Sequence, residues 1–410
     1  GQSPGAGRME KVGREKVGPA IRFALLRGRN KNDDLLAPDS FKGSLSSSQI
    51  IEALAQAAHD LMPDAVLTPV PIADGGEGTV EAMAAASGGK LYEQSVTGPL
   101  GQPCRASWAL LPGGVCVVEM AQASGLPLVP PARRDPRQTT TYGTGEQLAG
   151  LIRAGRRRLL LGLGGSATHD VGLGMMSALG ARFLDAGGRE LPPVGASLGQ
   201  VARIDLSRLE PALSQCQLTA ICDVTNPLCG PQGAARIYGP QKGADDACIR
   251  QLDAGSAHFA RLLEQAVGRP LIDVPGAGAA GGLGAAVLAL GGELKRGIDA
   301  VLDACGFDRL LENADLVISG EGRVDAQSVA YGKVIGGIAR RCTAAGVPLA
   351  LIAGSLALPY EALAAAGCPA AMALVREPME LESAMAQAEP LLADAAHRLM
   401  ALIALRPARR

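Results

Sequence analysis

The segment LLLGLGGSATHD, residues 159–170, passes from an apolar run into a glycine-rich turn that carries two hydroxyl side chains. The run 159–163 predicts a buried strand, and the Met, Ala and Leu residues after the turn predict a helix. Glycine permits positive φ and lets the backbone approach a ligand closely. Successive backbone N–H groups in such a turn can hold a phosphate group. The segment therefore predicts one strand, turn and helix of an α/β sheet, with a phosphate site at the turn.

Four further glycine-rich stretches occur along the chain, and three of them carry an acidic residue or a hydroxyl group. Carboxylates beside such turns can hold the Mg²⁺ that accompanies nucleotide phosphates. Any single turn is explained more simply as a connection between a strand and a helix, but the set indicates a phosphorylated ligand. The four stretches are residues 73–79, 275–278, 319–325 and 353–355.

The composition favours a large α/β protein. The chain has 410 residues, which predicts two domains. It is 47% hydrophobic but only 3% aromatic, so its cores must consist of Ala, Val, Leu and Ile, as in buried parallel strands. Few aromatics argue against a base-stacking surface, and a net charge of −1 draws the chain neither to nucleic acid nor to an anionic membrane. We therefore expect neither partner.

Cysteine and histidine patterns indicate a cytoplasmic protein without a zinc site. The nine cysteines include no C-x-x-C pair, which predicts reduced thiols. The four histidines lack ligand spacing. The uncharged runs 274–292 and 342–360 are interrupted by Gly and Pro, so neither predicts a bilayer helix. Residues 1–34 carry eight Lys/Arg against four Asp/Glu and are predicted to be a disordered or non-native leader.

Apolar runs alternate with helical patterns along the rest of the chain, which predicts a parallel α/β sheet. Ligands of such sheets bind outside the carboxyl ends of the strands. Ser46, Ser47 or Ser48 can cap the first helix, and a C-terminal helix over 381–404 is expected to be interrupted near Pro390. The predicted strands are 35–37, 65–71, 115–120, 159–163, 218–222, 316–319 and 349–353.

Several charged residues near strand ends are candidates for chemistry. Asp223 follows an apolar strand, where it could ligate Mg²⁺ or accept a proton from a substrate hydroxyl; it could equally form an Asx turn. Lys242 could contact a phosphate or a carboxylate, or be a solvated lysine. Lys42, near Asp39 and Ser40, has the same two interpretations. No Walker A sequence is present, because neither Lys42 nor Lys333 completes G-x-x-x-x-G-K-[ST].

The residues also permit two other interpretations. Residues 276–281 match G-x-G-x-x-G after a plausible strand at 271–274, which permits an NAD(P)-dependent oxidoreductase. The acid expected about 20 residues later in that motif would be Glu293 or Asp299, and neither ends an apolar strand. A non-catalytic sensor of a sugar acid or nucleotide is the second alternative, although the chain shows no fused DNA-binding module.

Eleven strings, in the same order and from about Leu35 to the C-terminus, closely resemble the bacterial glycerate kinase family. Each string alone would be a weak signal, but together they are specific. They are APDSFKGSLS (37–46), ADGGEGT (73–79), VTGPLG (96–101), EMAQASGL (119–126), GTGE (143–146), GLGGSAT (162–168), CDVTNPLCG (222–230), GPQKGA (239–244), PGAGAAGGLG (275–284), ISGEGRVD (318–325) and AGS (353–355).

The resemblance implies ATP- and Mg²⁺-dependent phosphorylation of D-glycerate, which in bacterial enzymes of this kind usually gives 2-phosphoglycerate. It also implies two α/β domains with the active site in the cleft between them. One is flavodoxin-like with a parallel sheet and would comprise 35–72 and 293–410, and the other would be inserted as 73–292. The partners implied are D-glycerate and ATP, and the oligomeric state is left open.

Joined to phosphoryl-transfer chemistry, the resemblance implies roles for groups of residues. The catalytic candidates are Asp223, Lys42 and Asp39, and the candidate Mg²⁺ ligands are Asp223 and Asp74. The candidate substrate-binding residues are Ser40, Asp74, Lys242, Glu321 and Arg323. The candidate nucleotide- and phosphate-binding residues are Gly164, Gly165, Ser166, Thr168, Gly276, Gly278, Gly281 and Gly282.

The chain departs from the family pattern at several positions. His169 replaces the usual Asn after GGSAT, and Val171 replaces a usual Gly. Tyr331 replaces the His of an H-G-K-x-P string. Residues 32–34 (Asn-Asp-Asp) occupy part of an otherwise apolar first strand, so the edge of that strand is not predicted.

Overall fold

The computed structural model describes residues 10–11, 33–41, 43–70, 72, 79–330 and 333–405. Most of the predicted leader, 1–34, lies outside these residues, as do Lys42, Asp74 and Tyr331. The chain divides into two compact units. The described residues of 1–13, 75–84 and 88–296 form one, called here the mixed-sheet unit; those of 14–74, 85–87 and 297–410 form the other, the parallel-sheet unit.

The described residues form strands and helices that alternate along most of the chain. The strands are β1 (Glu10–Lys11), β2 (Asp33–Pro38), β3 (Val66–Pro69), β4 (Lys90–Thr97), β5 (Pro103–Leu110), β6 (Val115–Glu119), β7 (Arg158–Gly162), β8 (Arg182–Leu184), β9 (Arg203–Asp205), β10 (Gln217–Ile221), β11 (Glu293–Lys295), β12 (Leu316–Val324), β13 (Leu349–Leu356) and β14 (Ala370–Ala373).

The α-helices are α1 (Ser47–Leu61), α2 (Thr79–Ser87), α3 (Met120–Ser124), α4 (Tyr142–Arg153), α5 (Leu173–Ala178), α6 (Ala234–Tyr238), α7 (Asp246–Val267), α8 (Ala279–Ala289), α9 (Gly297–Cys305), α10 (Phe307–Leu311), α11 (Val334–Ala345), α12 (Tyr360–Ala365), α13 (Leu381–Ala386) and α14 (Ala388–Ala404). No described helix is both long and apolar enough to cross a membrane.

The mixed-sheet unit contains a seven-stranded sheet in the order β1-β4-β5-β6-β7-β10-β11. Strands β6, β7, β10 and β11 are parallel, whereas β1, β4, β5 and β6 pair antiparallel. The central strands β6 and β7 are buried along almost their whole length, as expected for a sheet covered on both faces. Their parallel register brings the carboxyl ends of β6, β7 and β10 to one edge.

The parallel-sheet unit contains five parallel strands in the order β14-β13-β12-β2-β3. Counted along this unit alone, that order is 2-1-3-4-5, the flavodoxin-like order, whose strand order reverses between the first and third strands. Here those strands are β2 and β12. The predicted α/β class with a parallel sheet is thus confirmed, and the reversal point marks a place where ligands commonly bind.

Helix α1 shows why these elements form where they do. Ser46 caps it: the Ser46 hydroxyl accepts from the Gln49 amide, and the Gln49 side chain accepts from the Ser46 amide. Ile50 and Leu54 on one face are fully buried in a core with α14 and strands of the parallel sheet. The predicted serine cap is therefore confirmed.

One sequence prediction needs correction. Residues 271–274 form turns and not a strand. The predicted interruption of the C-terminal helix near Pro390 is confirmed: it lies at Gln387, and Pro390 is in the first turn of α14, where a missing N–H costs nothing. The antiparallel pair β4–β5, on which Tyr92 stacks against Trp108 with ring centroids 4.5 Å apart, was not predicted.

Candidate functional site

In the mixed-sheet unit, the turn after β7 and the residue Asp223 leave the same edge of the sheet. Gly162 at the end of β7 pairs with Ile221 at the end of β10, and the Leu163 amide donates to the Ile221 carbonyl at 3.2 Å. Asp223 follows two residues beyond β10 and is exposed. The sheet register therefore places a glycine turn and a carboxylate directly after neighbouring strands.

The turn Gly164–Thr168 is held at its base and open at its tip. The Leu126 amide donates to the Gly165 carbonyl at 2.8 Å, and the Ala167 amide donates to the Ser124 carbonyl at 3.0 Å. Gly164 and Gly165 are exposed, and Gly165 has φ of +68°. Among the described residues, none accepts a hydrogen bond from the amides of Gly164, Gly165 or Ser166. Such adjacent amides can receive an anion.

Lys242 is buried on the protein side of this turn and is not solvated. Its Nζ atom donates to the Ser166 Oγ atom and to the Thr168 carbonyl, both at 2.7 Å, and the residue is 2% exposed. Burial lowers the pKa of Lys242 to about 7, although nearby Asp170 acts in the opposite direction. The ammonium group thus fixes the side chain and backbone of the turn from below.

A second layer of buried polar groups supports the lysine. The Asp170 carboxylate accepts from the Thr141 amide and hydroxyl, both at 2.8 Å, and from the amides of Gly172 and Gly174. Burial raises the pKa of Asp170. These bonds tie the residues after the turn to the start of α4, so the turn is anchored to the body of the unit.

His169 is fully buried beside this layer. Its Nε2 atom lies 2.9 Å from the Ser256 Oγ atom, whereas its Nδ1 atom has no hydrogen-bond partner among the described residues. Burial, with a smaller contribution from Lys242, lowers the pKa of His169 to about 3. The ring is therefore neutral at physiological pH. The next departure from the family pattern, Val171, has φ of +50°, which is strained for a β-branched residue.

The glycines of segment 276–282 approach protein atoms. A Cβ atom on Gly281 would lie 2.1 Å from the Thr168 carbonyl oxygen, and one on Gly278 would lie 2.3 Å from that of Pro227. Gly276 and Gly282 are buried as well. Because no strand precedes this segment and its glycines serve close packing against the protein, the geometry gives no support to a dinucleotide-binding motif.

Glu119 is a buried carboxylate that sequence reasoning did not single out. It ends β6, is 4% exposed, and its Oε1 atom accepts from the Val80 amide at 2.8 Å in the first turn of α2. It therefore holds the start of the helix that follows the stretch 73–78, which lies outside the described residues. Its position at the end of an apolar strand, in the string EMAQASGL, was the available signal.

In the parallel-sheet unit, four predicted residues surround one cavity of about 710 Å³. These are Asp39, Ser40, Glu321 and Arg323. Asp39 and Ser40 follow β2, and Glu321 and Arg323 lie on β12, so all four sit where the strand order reverses. The cavity therefore brings together four predicted residues from two segments that are distant in the sequence.

Local hydrogen bonds order the rim of this cavity. The Asp39 amide donates to the Gly320 carbonyl at 2.8 Å, and the Asp39 Oδ1 atom accepts from the Ser40 amide at 2.7 Å. The exposed Arg323 guanidinium lies 3.9 Å from the Asp325 carboxylate. Exposed Arg323 can consequently turn toward an anion at little cost, because exposed ion pairs are weak.

The predicted site residues thus fall into two groups, one in each unit. Lys42 and Asp74 lie outside the described residues, so their placement stays a prediction. Among the residues that the structure describes, there is no group of three or more His, Cys, Asp or Glu side chains that could hold a metal ion.

Comparisons with known proteins point to one family. Residues 35–404 match the profile of the glycerate kinase family. The chain is 45% identical to the glycerate kinase of Bacillus subtilis (strain 168), covering 90% of this chain and 97% of that protein. It is 48% identical to the glycerate 2-kinase of Escherichia coli (strain K12), over 78% and 85% of the two chains. A crystal structure assigned as glycerate kinase 2 from Salmonella typhimurium LT2 superposes with a TM-score of 0.81 at 42% identity, covering 91% of this chain and 98% of that chain.

Proposed function

The chain belongs to the glycerate kinase family and is an enzyme that phosphorylates glycerate, and we propose that it transfers the γ-phosphoryl group of ATP to D-glycerate, giving 2-phosphoglycerate and ADP. The relative named glycerate 2-kinase supports transfer to the 2-hydroxyl group. The observation that carries the proposal is the open glycine turn Gly164–Thr168 on the strand next to that of Asp223.

The turn is proposed to bind phosphate oxygens. Its exposed amides at Gly164 and Gly165 point to no described protein acceptor, and Lys242 holds Ser166 and Thr168 in place from below. Phosphoryl transfer depends mainly on positioning and on neutralising developing charge. A turn whose amides are fixed before the ligand arrives meets both needs, since little reorganisation is left for the reaction.

Asp223 is proposed either to accept the proton of the glycerate hydroxyl or to ligate Mg²⁺. Mg²⁺ is usually bound by one or two carboxylates together with substrate phosphates, so an exposed carboxylate beside a phosphate-binding turn fits this ion. When bound, Mg²⁺ neutralises charge on the nucleotide phosphates. Asp74 stays the second proposed ligand.

The remaining polar residues are proposed to bind substrate groups. Ser40 and Glu321 can accept hydroxyl hydrogens of a substrate, and Arg323 can pair with a carboxylate or phosphate. Asp39 and Lys42 stay proposed catalytic residues. Lys242 contributes through Ser166 and Thr168, and is therefore a positioning residue in this proposal.

Steady-state assays of Asp223→Asn test the assignment. The kcat with D-glycerate should fall by about 10²–10⁴-fold, because either role needs the negative charge. Asp273→Asn, at an exposed turn position in the same unit, is the matched control and should keep wild-type kcat. Partial recovery of Asp223→Asn at high Mg²⁺ would identify a metal ligand, and no recovery would identify a base. A kcat within a few-fold of wild type would overturn the assignment.

A further inference from the structure

The cavity of the parallel-sheet unit has an apolar wall as well as a polar rim. The wall comes from Phe41 after β2, from the segment after β14 and from α13. Leu381 and Met385 of α13 are 73% and 38% exposed, so the wall presents apolar surface to solvent. The residues that form it include Phe41, Leu374, Val375, Met379, Leu381 and Met385.

Glycerate cannot form apolar contacts with such a wall. It is a three-carbon acid in which every carbon carries oxygen, so it offers no apolar face to bury. A cavity of about 710 Å³ is also of the size that takes a much larger ligand, because drug-sized molecules occupy about 300–1,000 Å³. The apolar part of the cavity therefore fits a second substrate that has an apolar surface of its own.

A purine base has that surface and also a polar edge that needs a donor and an acceptor. Val375 lines the cavity just beyond β14, and none of the described residues forms a hydrogen bond with its backbone N–H or C=O. A single residue can thus offer both groups. Because the site also lies at the strand-order reversal, the fold itself favours a ligand here.

We propose that the apolar wall, over Phe41, Leu374, Met379 and Met385, binds the adenine base of the nucleotide substrate. The inference rests on the proposed function, because it assigns one part of the proposed ATP to a particular surface. The polar rim at Glu321 then meets the ribose, whose hydroxyl groups need acceptors. The base is held mainly by burial of apolar surface, and the phosphate groups contribute separately.

A substitution that places a larger side chain in the cavity tests this assignment. Ala384 lines the cavity on α13, whereas Ala386 on the same helix is exposed and does not line it. Calorimetric titration of the full-length protein with ADP should show that Ala384→Phe weakens binding by about tenfold or more. Ala386→Phe should bind ADP as wild type does. Tripolyphosphate, which lacks the base, should bind both variants equally well.

Leu381→Ser supplies a variant that leaves folding untouched, because Leu381 is largely exposed. It should raise the KM for ATP and leave the KM for D-glycerate unchanged. Unchanged affinity for ADP in both Ala384→Phe and Leu381→Ser would overturn the proposal, and so would a rise confined to the KM for D-glycerate.

The inference and the proposed function can fail independently. If the wild-type protein binds ADP and Ala384→Phe weakens that binding, the adenine site stands even where no glycerate is phosphorylated. If D-glycerate is phosphorylated but Ala384→Phe and Leu381→Ser keep wild-type ADP affinity, the function stands and the adenine site is wrong.

Discussion

The Nζ atom of Lys242 lies 2.7 Å from the Oγ atom of Ser166, although the two residues are 76 positions apart. This bond joins a buried ammonium group to a glycine turn whose tip is open. The turn binds, in our proposal, the phosphate groups of ATP. Because Lys242 contacts the turn from its buried side, it can affect catalysis only through the conformation of the turn.

Lys242→Met should lower kcat/KM for ATP by about tenfold or more, because the Ser166 hydroxyl and the Thr168 carbonyl lose their shared donor. The KM for D-glycerate should change little. Steady-state kinetics with each substrate varied in turn measure this split. Lys90→Met, at an exposed strand position, is the control. An unchanged kcat/KM for ATP in a folded Lys242→Met protein would refute the positioning role.

Gly165→Ala should disturb the backbone conformation of the phosphate-binding turn. Gly165 has φ of +68°, and alanine in that region costs about 1 kcal/mol. Gly188, with φ of +79° in open space, would incur the same backbone cost away from the site, whereas a Cβ atom on Gly165 would also lie 3.3 Å from the Ala121 Cβ atom. Both variants should unfold at a reduced temperature, but only Gly165→Ala should raise the KM for ATP. Equal kinetics of the two variants would show that the turn does not contact the nucleotide.

His169 should make the protein sensitive to acid. Its pKa is about 3 in the folded protein against an ordinary 6.5. At pH values between these two, the unfolded chain therefore binds one more proton than the folded chain does. The stability that this residue contributes is therefore present above pH 6.5 and is lost as the pH falls toward 3. His169→Asn removes the titrating group and keeps a polar side chain at this position.

Urea unfolding of the two proteins between pH 7 and 4 measures this effect. The free energy of unfolding of His169→Asn, relative to wild type, should rise as the pH is lowered through the interval in which only the unfolded histidine titrates. A difference that stays constant with pH would mean that the pKa of His169 is the same in the folded and the unfolded protein, which would contradict this prediction.

At position 171, the usual order of stability of an alanine and a glycine variant should be reversed. Both Val171→Gly and Val171→Ala remove a buried side chain, but only alanine keeps a Cβ atom at φ of +50°. We expect Val171→Gly to be the more stable of the two by about 1 kcal/mol, whereas glycine is ordinarily less stable than alanine. Thermal unfolding compares them directly, and a more stable Val171→Ala would show that the backbone is not strained.

The sequence located the strand ends well because their signals are local. Apolar runs ending in glycine or Asp marked β7 and β10, and the Ser46 cap marked α1. The order of the parallel strands then brought Asp39 and Glu321 to one cavity. Periodicity and turn chemistry are sufficient for such features, because the chain within a few residues decides them.

Other features depend on contacts that no local pattern encodes. Lys242 adjoins glycine and was equally compatible with a solvated position, since its partner Ser166 is remote in sequence. The strands β4 and β5 carry many polar residues and half-exposed positions, so their alternation was weak. The match at 276–281 was misleading because an Ala/Gly-rich segment can use its glycines for packing against residues such as Pro227.

The most direct test of the proposed activity is ³¹P NMR of the full-length protein with D-glycerate, ATP and Mg²⁺. The account predicts that ADP and 2-phosphoglycerate accumulate in equal amounts, and that both are absent without D-glycerate. Formation of 3-phosphoglycerate would contradict the proposed position of transfer. Release of ADP without any phosphorylated glycerate, or no reaction at all, would contradict the proposed function.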